Sequence, residues 1–354
     1  MKAKLILQNG MEFEGKAFGY LHETVGEVVF NTSMSGYQEI LTDPSYYGQI
    51  VVMTYPLIGN YGINLDDSES PSTWVKGFIV REKSDNPNNF RCELEIDDYL
   101  KSNKIMGLED IDTRALTKVL RKEGVMNGII VLENHNIDAK EIKEKLASYH
   151  IDDSIEQVST KKIYEYGKGK IKVAALDFGL KSSMLKRFAE RDCTVKVYPH
   201  NTKAAEILAD NPDLIFLSSG PSHPEKLDYI IEEIKILAEQ KPTVAICLGH
   251  QLLTLAFGGK VAALEFGHRG SNHPVKNLLT DQVHITAQSH SYYTSELPPD
   301  FKITHQSMND STIEGMRHKS KPIYSVQFHP EGGPSENRYI FDEFIKYAQE
   351  VHNA

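Results

Sequence analysis

The chain has 354 residues, with 39 Lys and Arg against 49 Asp and Glu, for a formal net charge of −10, and that length suits two domains. Hydrophobic residues at 40% and charged residues at 25% exclude a disordered or collagen-like chain. A net-negative chain lacks the clustered Lys and Arg that nucleic acid or an anionic membrane surface requires, so neither is expected as a partner.

In chain order, the first part reads as short strands separated by turns: Lys4 to Gln8 before Asn9-Gly10, Gly26 to Asn31, and Gln49 to Thr54. Helical patterns follow around Asp98 to Asn103 and over Asp112 to Glu123. In the second of these Asp112 is a candidate cap and Leu116, Val119 and Leu120 fall at helical spacing. This β-rich unit is expected to span residues 1–147. Residues 148–170 are polar, end in Gly167-Lys168-Gly169-Lys170, and read as a linker. The texture then changes to strand, helix, strand: Val173 to Leu176, Lys181 to Arg191, Thr194 to Tyr198. The alternation continues with Leu214 to Leu217, the helix Leu227 to Gln240, and Thr243 to Cys247 running into Gln251 to Phe257. Residues 171–354 are therefore expected to form a doubly wound α/β domain.

Three cysteines, Cys92, Cys193 and Cys247, are too sparse for a disulfide framework and too far apart for a CxxC metal knuckle, which suits a reducing, cytoplasmic setting. The apolar run Leu5 to Leu7 is too short for a signal-peptide core, and no stretch approaches the length of a membrane span.

Cys247 sits between the apolar run Thr243 to Ile246 and a helix opening with Gly249-His250-Gln251. A nucleophile at such a strand-to-helix turn projects from the sheet's carboxyl edge, and the helix N-terminus favours thiolate. On spacing alone a buried structural cysteine fits equally well. His329-Pro330-Glu331 follows a second apolar strand, Ile323 to Phe328. His329 suits a general base, with Glu331 orienting it. The small-residue loop Ser218-Ser219-Gly220-Pro221 can offer the Gly220 N–H which, with that of Leu248, would form an oxyanion hole. Nine of the fourteen histidines lie from His250 onward, but they match no metal-ligand spacing, so most read as structural and no metal is expected. No phosphate loop or dinucleotide fingerprint is present.

Ile246-Cys247-Leu248-Gly249-His250-Gln251 with His329-Pro330-Glu331 resembles a class I triad glutamine amidotransferase. Val25 to Tyr46, Tyr55 to Asn60, Asp110 to Arg114 and Gly267 to Pro274 resemble the small subunit of carbamoyl-phosphate synthase, nearly end to end. The resemblance implies a flavodoxin-like C-terminal amidotransferase domain behind a smaller β-rich α/β domain. It implies hydrolysis of L-glutamine through a Cys247 thioester, with Cys247, His329 and Glu331 as catalytic residues. Ser45, Gly220, Ser222, Leu248, Gln251, Ser289, Ser291 and Tyr292 would bind glutamine. The ammonia would pass through a tunnel to a large subunit that uses ATP, Mg and bicarbonate to make carbamoyl phosphate for arginine or pyrimidine synthesis, with no cofactor in this chain. The family pattern has Gly at the position of Ser222, Asn and Gly around His290 where this chain has Ser289 and Ser291, and Asn and Asp in place of Ser219 and His223. Two other readings stand beside it: an impaired scaffold subunit supporting only ammonia-dependent synthesis, and a free-standing γ-glutamyl amide hydrolase.

Overall fold

The structure, a computed structural model, describes residues 1–133, 138–221 and 223–352. The chain separates into two compact units, Met1–Asp152 and Asp153–Ala354.

In the first unit the strands are β1 (Lys2–Leu7), β2 (Glu12–Gly19), β3 (Thr24–Asn31), β4 (Gln49–Met53), β5 (Leu57–Ile58), β6 (Gly77–Ile79), β7 (Glu82–Lys83), β8 (Met106–Glu109) and β9 (Met126–Leu132). Seven of them close a barrel in the order β1-β2-β8-β6-β4-β3-β9, with β9 pairing back on β1. Closure leaves no unpaired sheet edge. The run β3-β4-β6-β8 is parallel and the other contacts are antiparallel. The helices are α1 (Tyr37–Thr42), α2 (Ile96–Ser102), α3 (Thr113–Glu123) and α4 (Ala139–Ser148). The Asp112 side chain caps α3 by accepting from Ala115 N at 2.9 Å, and α3 buries Leu116 and Leu120, as its spacing predicts.

The stretch 148–170, read from sequence as a linker, carries ordered elements: α5 (Ser154–Val158) and β10 (Tyr164–Tyr166). The strand β10 adds to the edge of the second unit's sheet beside β12. An edge strand with one bonded side and three exposed residues needs no apolar run, so composition alone hides it.

The second unit contains β11 (Ile171–Asp177), α6 (Ser182–Ala189), β12 (Cys193–Pro199), α7 (Ala204–Ala209), β13 (Leu214–Leu217), α8 (Asp228–Gln240), β14 (Thr243–Ile246) and α9 (Leu248–Ala256). After these come β15 (Lys260–Asn277), β16 (Val283–Glu296), β17 (Phe301–Ser307), β18 (Ile313–His318), β19 (Ile323–Val326) and α10 (Tyr339–His352). Its sheet runs β10-β12-β11-β13-β14-β19-β18-β16-β15-β17. The five central strands are parallel in the order β12-β11-β13-β14-β19, which is the flavodoxin-like arrangement.

Alternate residues of each central strand feed opposite cores, which is why these strands read as unbroken apolar runs. Val173, Ala175, Phe216 and Ile246 pack with Phe188 of α6 and Phe341 of α10 on one face. Ala174, Leu176, Leu217 and Ala245 pack with Ile234 of α8 and Leu252 of α9 on the other. The carboxyl ends of β11, β13, β14 and β19 thus emerge side by side between the two helical layers, where such sheets bind ligands.

Candidate active site

Four neighbouring strand ends deliver the chemistry. Cys247 follows β14 and begins α9 with φ 54° and ψ −107°, a conformation that strains any residue with a Cβ. Its amide is held by the Val326 carbonyl at 2.9 Å, its own carbonyl accepts from Gln251 N at 3.2 Å, and its side chain is buried. The thiol faces the Ser289 carbonyl at 3.8 Å. Gly249 cannot be larger, because a Cβ there would lie 2.4 Å from the Leu217 carbonyl oxygen. The turn closes only because this residue is glycine.

His329 lies just beyond β19 and is buried, and its Nδ1 meets Glu331 Oε1 at 2.7 Å. That contact makes Nδ1 the protonated nitrogen and leaves Nε2 for chemistry. His329 Nε2 is buried with no ordinary hydrogen bond, and the Cys247 sulfur is close enough to act on it electrostatically. Burial and Lys181 both disfavour the His329 cation, but Glu331 and Cys247 outweigh them and raise it to about 10. Burial disfavours the Glu331 carboxylate, and Lys181 and His329 overcome it, lowering it to about 2. Both residues therefore carry charge at neutral pH.

Lys181 is the member of this group that sequence reading missed. It follows the β11 loop, its side chain is 7% exposed, and its Nζ lies 2.5 Å from Glu331 Oε1, the oxygen that also receives His329. A lysine at the start of a helical pattern normally reads as a solvated residue. The only available hint was its place after a strand end, in Asp177-Phe178-Gly179-Leu180-Lys181.

The two expected oxyanion donors lie on neighbouring strand ends, Leu248 directly after Cys247 and Gly220 after β13. Leu248 is the first residue of α9, so its N–H has no intrahelical acceptor. Gly220, in the loop after β13, packs so closely that a Cβ would sit 1.9 Å from the Phe178 carbonyl oxygen. An acyl-transfer site requires a nucleophile, a base with its orienter, and backbone donors for the oxyanion.

The wall of the site is β16. Gln251 donates from Nε2 to the Tyr292 carbonyl at 2.7 Å and to Gln327 Oε1 at 3.0 Å, tying α9 to that strand. Arg269 donates to Ser291 Oγ at 2.5 Å, and the Tyr292 ring lies 4.6 Å from that of His223. Ser45 belongs to the first unit. It sits in a single 3₁₀ turn, Pro44–Tyr46, with its N–H held by Asp43 at 2.8 Å and its Oγ buried without a partner. Ser222 lies outside the described residues.

The family profile described as "Carbamoyl-phosphate synthase small chain, CPSase domain" matches residues 5–130, and that described as "Glutamine amidotransferase class-I" matches residues 174–347. A carbamoyl phosphate synthase small chain of Clostridium perfringens is 61% identical over 351 residues, covering 98% of this chain and 100% of that one. The chain belongs to the carbamoyl-phosphate synthase small-chain family. The small chain of Clostridium acetobutylicum is 46% identical over 98% of this chain and 99% of that one. The pyrimidine-specific small chain of Bacillus subtilis is 46% identical over 98% and 96%.

Two of the serine departures from the small-chain pattern carry no backbone strain. Ser289 and Ser291 lie within β16 and are not among the residues of positive φ, so a Cβ imposes no backbone strain there. The small chain also gathers histidines that sequence spacing read as structural. His268 and His290 face each other across β15 and β16, and Glu314 of β18 joins them, all three buried. Burial holds His290 well below its ordinary value and therefore neutral. For His268 burial works the same way, but Glu314 and Asp310 outweigh it and raise it.

Proposed function

We propose that this chain is the glutamine-hydrolysing subunit of carbamoyl-phosphate synthase and that Cys247, His329 and Glu331 carry the reaction. The supporting observation is the strained, buried Cys247 at a helix N-terminus, beside a buried histidine whose other ring nitrogen is fixed by a buried carboxylate. With the Cys247 proton already held on His329 Nε2, the sulfur attacks the side-chain carbonyl carbon of glutamine. Leu248 and Gly220 N–H groups receive the resulting oxyanion. His329 returns the proton to nitrogen as the C–N bond breaks, releasing ammonia and leaving a thioester on Cys247. Water then attacks the thioester with His329 accepting its proton. Collapse expels the sulfur, that proton stays on His329, and glutamate leaves. The sum is glutamine plus water giving glutamate plus ammonia.

In this reading Gln251, Ser289, Ser291 and Tyr292 shape the glutamine pocket. The ammonia is consumed by a larger subunit with ATP, Mg and bicarbonate, since this chain shows no nucleotide-binding motif of its own. No helix among the described residues is long and apolar enough to cross a membrane. The test is glutamate release from glutamine by the chain with its large subunit. Cys247→Ala should abolish release, and persistent turnover in that variant would reject the triad.

A further inference from the structure

Beside the glutaminase site, on the same strand that forms its wall, lies an array that the proposed chemistry does not use. His268 on β15 and His290 on β16 are register partners, and Glu314 stands on β18. The outer nitrogen of each ring is anchored. His290 Nδ1 meets the Tyr292 carbonyl at 2.7 Å, and His268 Nε2 meets Asp310 Oδ2 at 2.7 Å. With the outer nitrogens carrying the N–H, the inner nitrogens, His290 Nε2 and His268 Nδ1, face the interior, where a bound cation would take the place of any proton on His268 Nδ1. His268 Nδ1 is buried without a hydrogen bond, with Glu314 Oε1 3.6 Å away. His290 Nε2 lies 2.7 Å from Gln288 Oε1, which sets one acceptor against another. The Gln288 amide is held in that orientation because its Nε2 donates to Glu314 Oε2 at 2.9 Å and to Thr286 Oγ1 at 3.2 Å. Two inward ring nitrogens, a carboxylate and an amide oxygen therefore converge on one buried point.

We propose that His268 Nδ1, His290 Nε2 and Glu314 form a binding site for one transition-metal dication of the zinc class. The three donors lie within 4.8 Å of one another, so some point is within about 2.8 Å of all of them. Reaching zinc-to-nitrogen and zinc-to-oxygen lengths of about 2.0–2.2 Å takes a shift of about 0.7 Å per donor. The outer contacts match what metal-bound histidines show, the second nitrogen donating to a carbonyl or carboxylate that fixes the tautomer. Two imidazoles select against calcium and magnesium, which favour all-oxygen sets. Asp310, 36% exposed at the turn before β18, marks the side open to solvent. The spacing 268, 290, 314 hides the site from sequence inspection because three strands, not one helix or loop, bring it together. A bound metal would clip β15, β16 and β18, the β16 segment being the one that sets the Ser289 and Tyr292 carbonyls against Cys247 and Gln251. Its role would be positional, since none of its donors contacts the reacting sulfur.

The test is a cobalt(II) titration of the full chain carrying Cys247→Ala, which keeps the nucleophile from competing for metal. Visible absorption reads coordination, and elemental analysis reads the zinc retained after purification. The expected result is saturation at one cobalt per chain, displaced by zinc, with affinity reduced at least tenfold by Glu314→Gln. Should Glu314→Gln fail to fold, Asp310→Asn on the partly exposed turn replaces it. That change removes only the outer partner of His268 and should weaken binding about 10- to 100-fold. Absence of saturable binding, or equal affinity in the parent and the folded variant, overturns the proposal.

Discussion

Replacing Glu331 by Gln separates the orienter's two tasks. Glu331 Oε1 takes both the Lys181 ammonium at 2.5 Å and the His329 ring at 2.7 Å, and its side chain is fully buried. Glu331→Gln leaves the Lys181 ammonium in a site where its own side chain is only 7% exposed. Removing one partner of a buried pair costs about 3–5 kcal/mol. For a unit of this size each kcal/mol is worth about 2–4 °C, so the loss in Tm is about 6–20 °C. Adding Lys181→Met removes that buried charge and should restore most of the lost stability, because replacing both partners of a buried pair by neutral groups is often near neutral. Activity should not return. Without a carboxylate on Nδ1 the imidazolium is unsupported and the tautomer is free, a loss of roughly 10²–10⁴-fold in kcat by the behaviour of other triads. Urea midpoints of the four proteins in the cycle read the coupling, and glutamate release with the large subunit reads turnover. A double variant no more stable than Glu331→Gln would refute the Lys181–Glu331 pairing. A double variant with normal kcat would refute the orienting role.

Further outcomes follow from the same geometry. Glu331 is depressed to about 2 from an unfolded value of about 4.3. Its contribution is therefore present above the unfolded value and lost as pH falls through the folded one. Urea stability should decline from about pH 4.5 towards 2, and the decline should shrink in the double variant. His329 is raised to about 10, so its contribution is full below about 6.5 and lost as pH rises towards 10. His329→Asn should flatten that alkaline loss in urea titrations. Because Cys247 has φ 54°, Cys247→Gly should be more stable than Cys247→Ala by about 1 kcal/mol, and calorimetry showing the reverse order would argue against a strained nucleophile. Gly220→Ala drives a Cβ onto the Phe178 carbonyl, displacing the donor loop. A fall of about 10²–10³-fold in kcat is expected from losing one oxyanion donor, and unchanged kcat would remove Gly220 from that role.

The parts of this structure that were legible from sequence are those governed by local pattern. The strand ending at Ile246, the helix after Cys247 and the strand before His329 each fall within a short window, and the sheet rule puts their ends on one edge. Asp112 capping α3 is legible for the same reason. The closed barrel was not, because its parallel contacts among β3, β4, β6 and β8 join segments separated by long connections and leave no turn signature. Nor was the 18-residue β15, which contains Pro274 and three register shifts and so breaks the even alternation that reveals a strand. Lys181 was hidden because burial of a lysine depends on a partner 150 residues away, Glu331. The histidine array was hidden because it is a property of strand register, not of spacing.

The most direct test is reconstitution with the large subunit, comparing glutamine with ammonia as nitrogen donor for the wild-type chain and for Cys247→Ala. Carbamoyl phosphate should form from either donor with the wild-type chain, and from ammonia alone with the variant. Glutamine-dependent synthesis that survives Cys247→Ala would contradict the account.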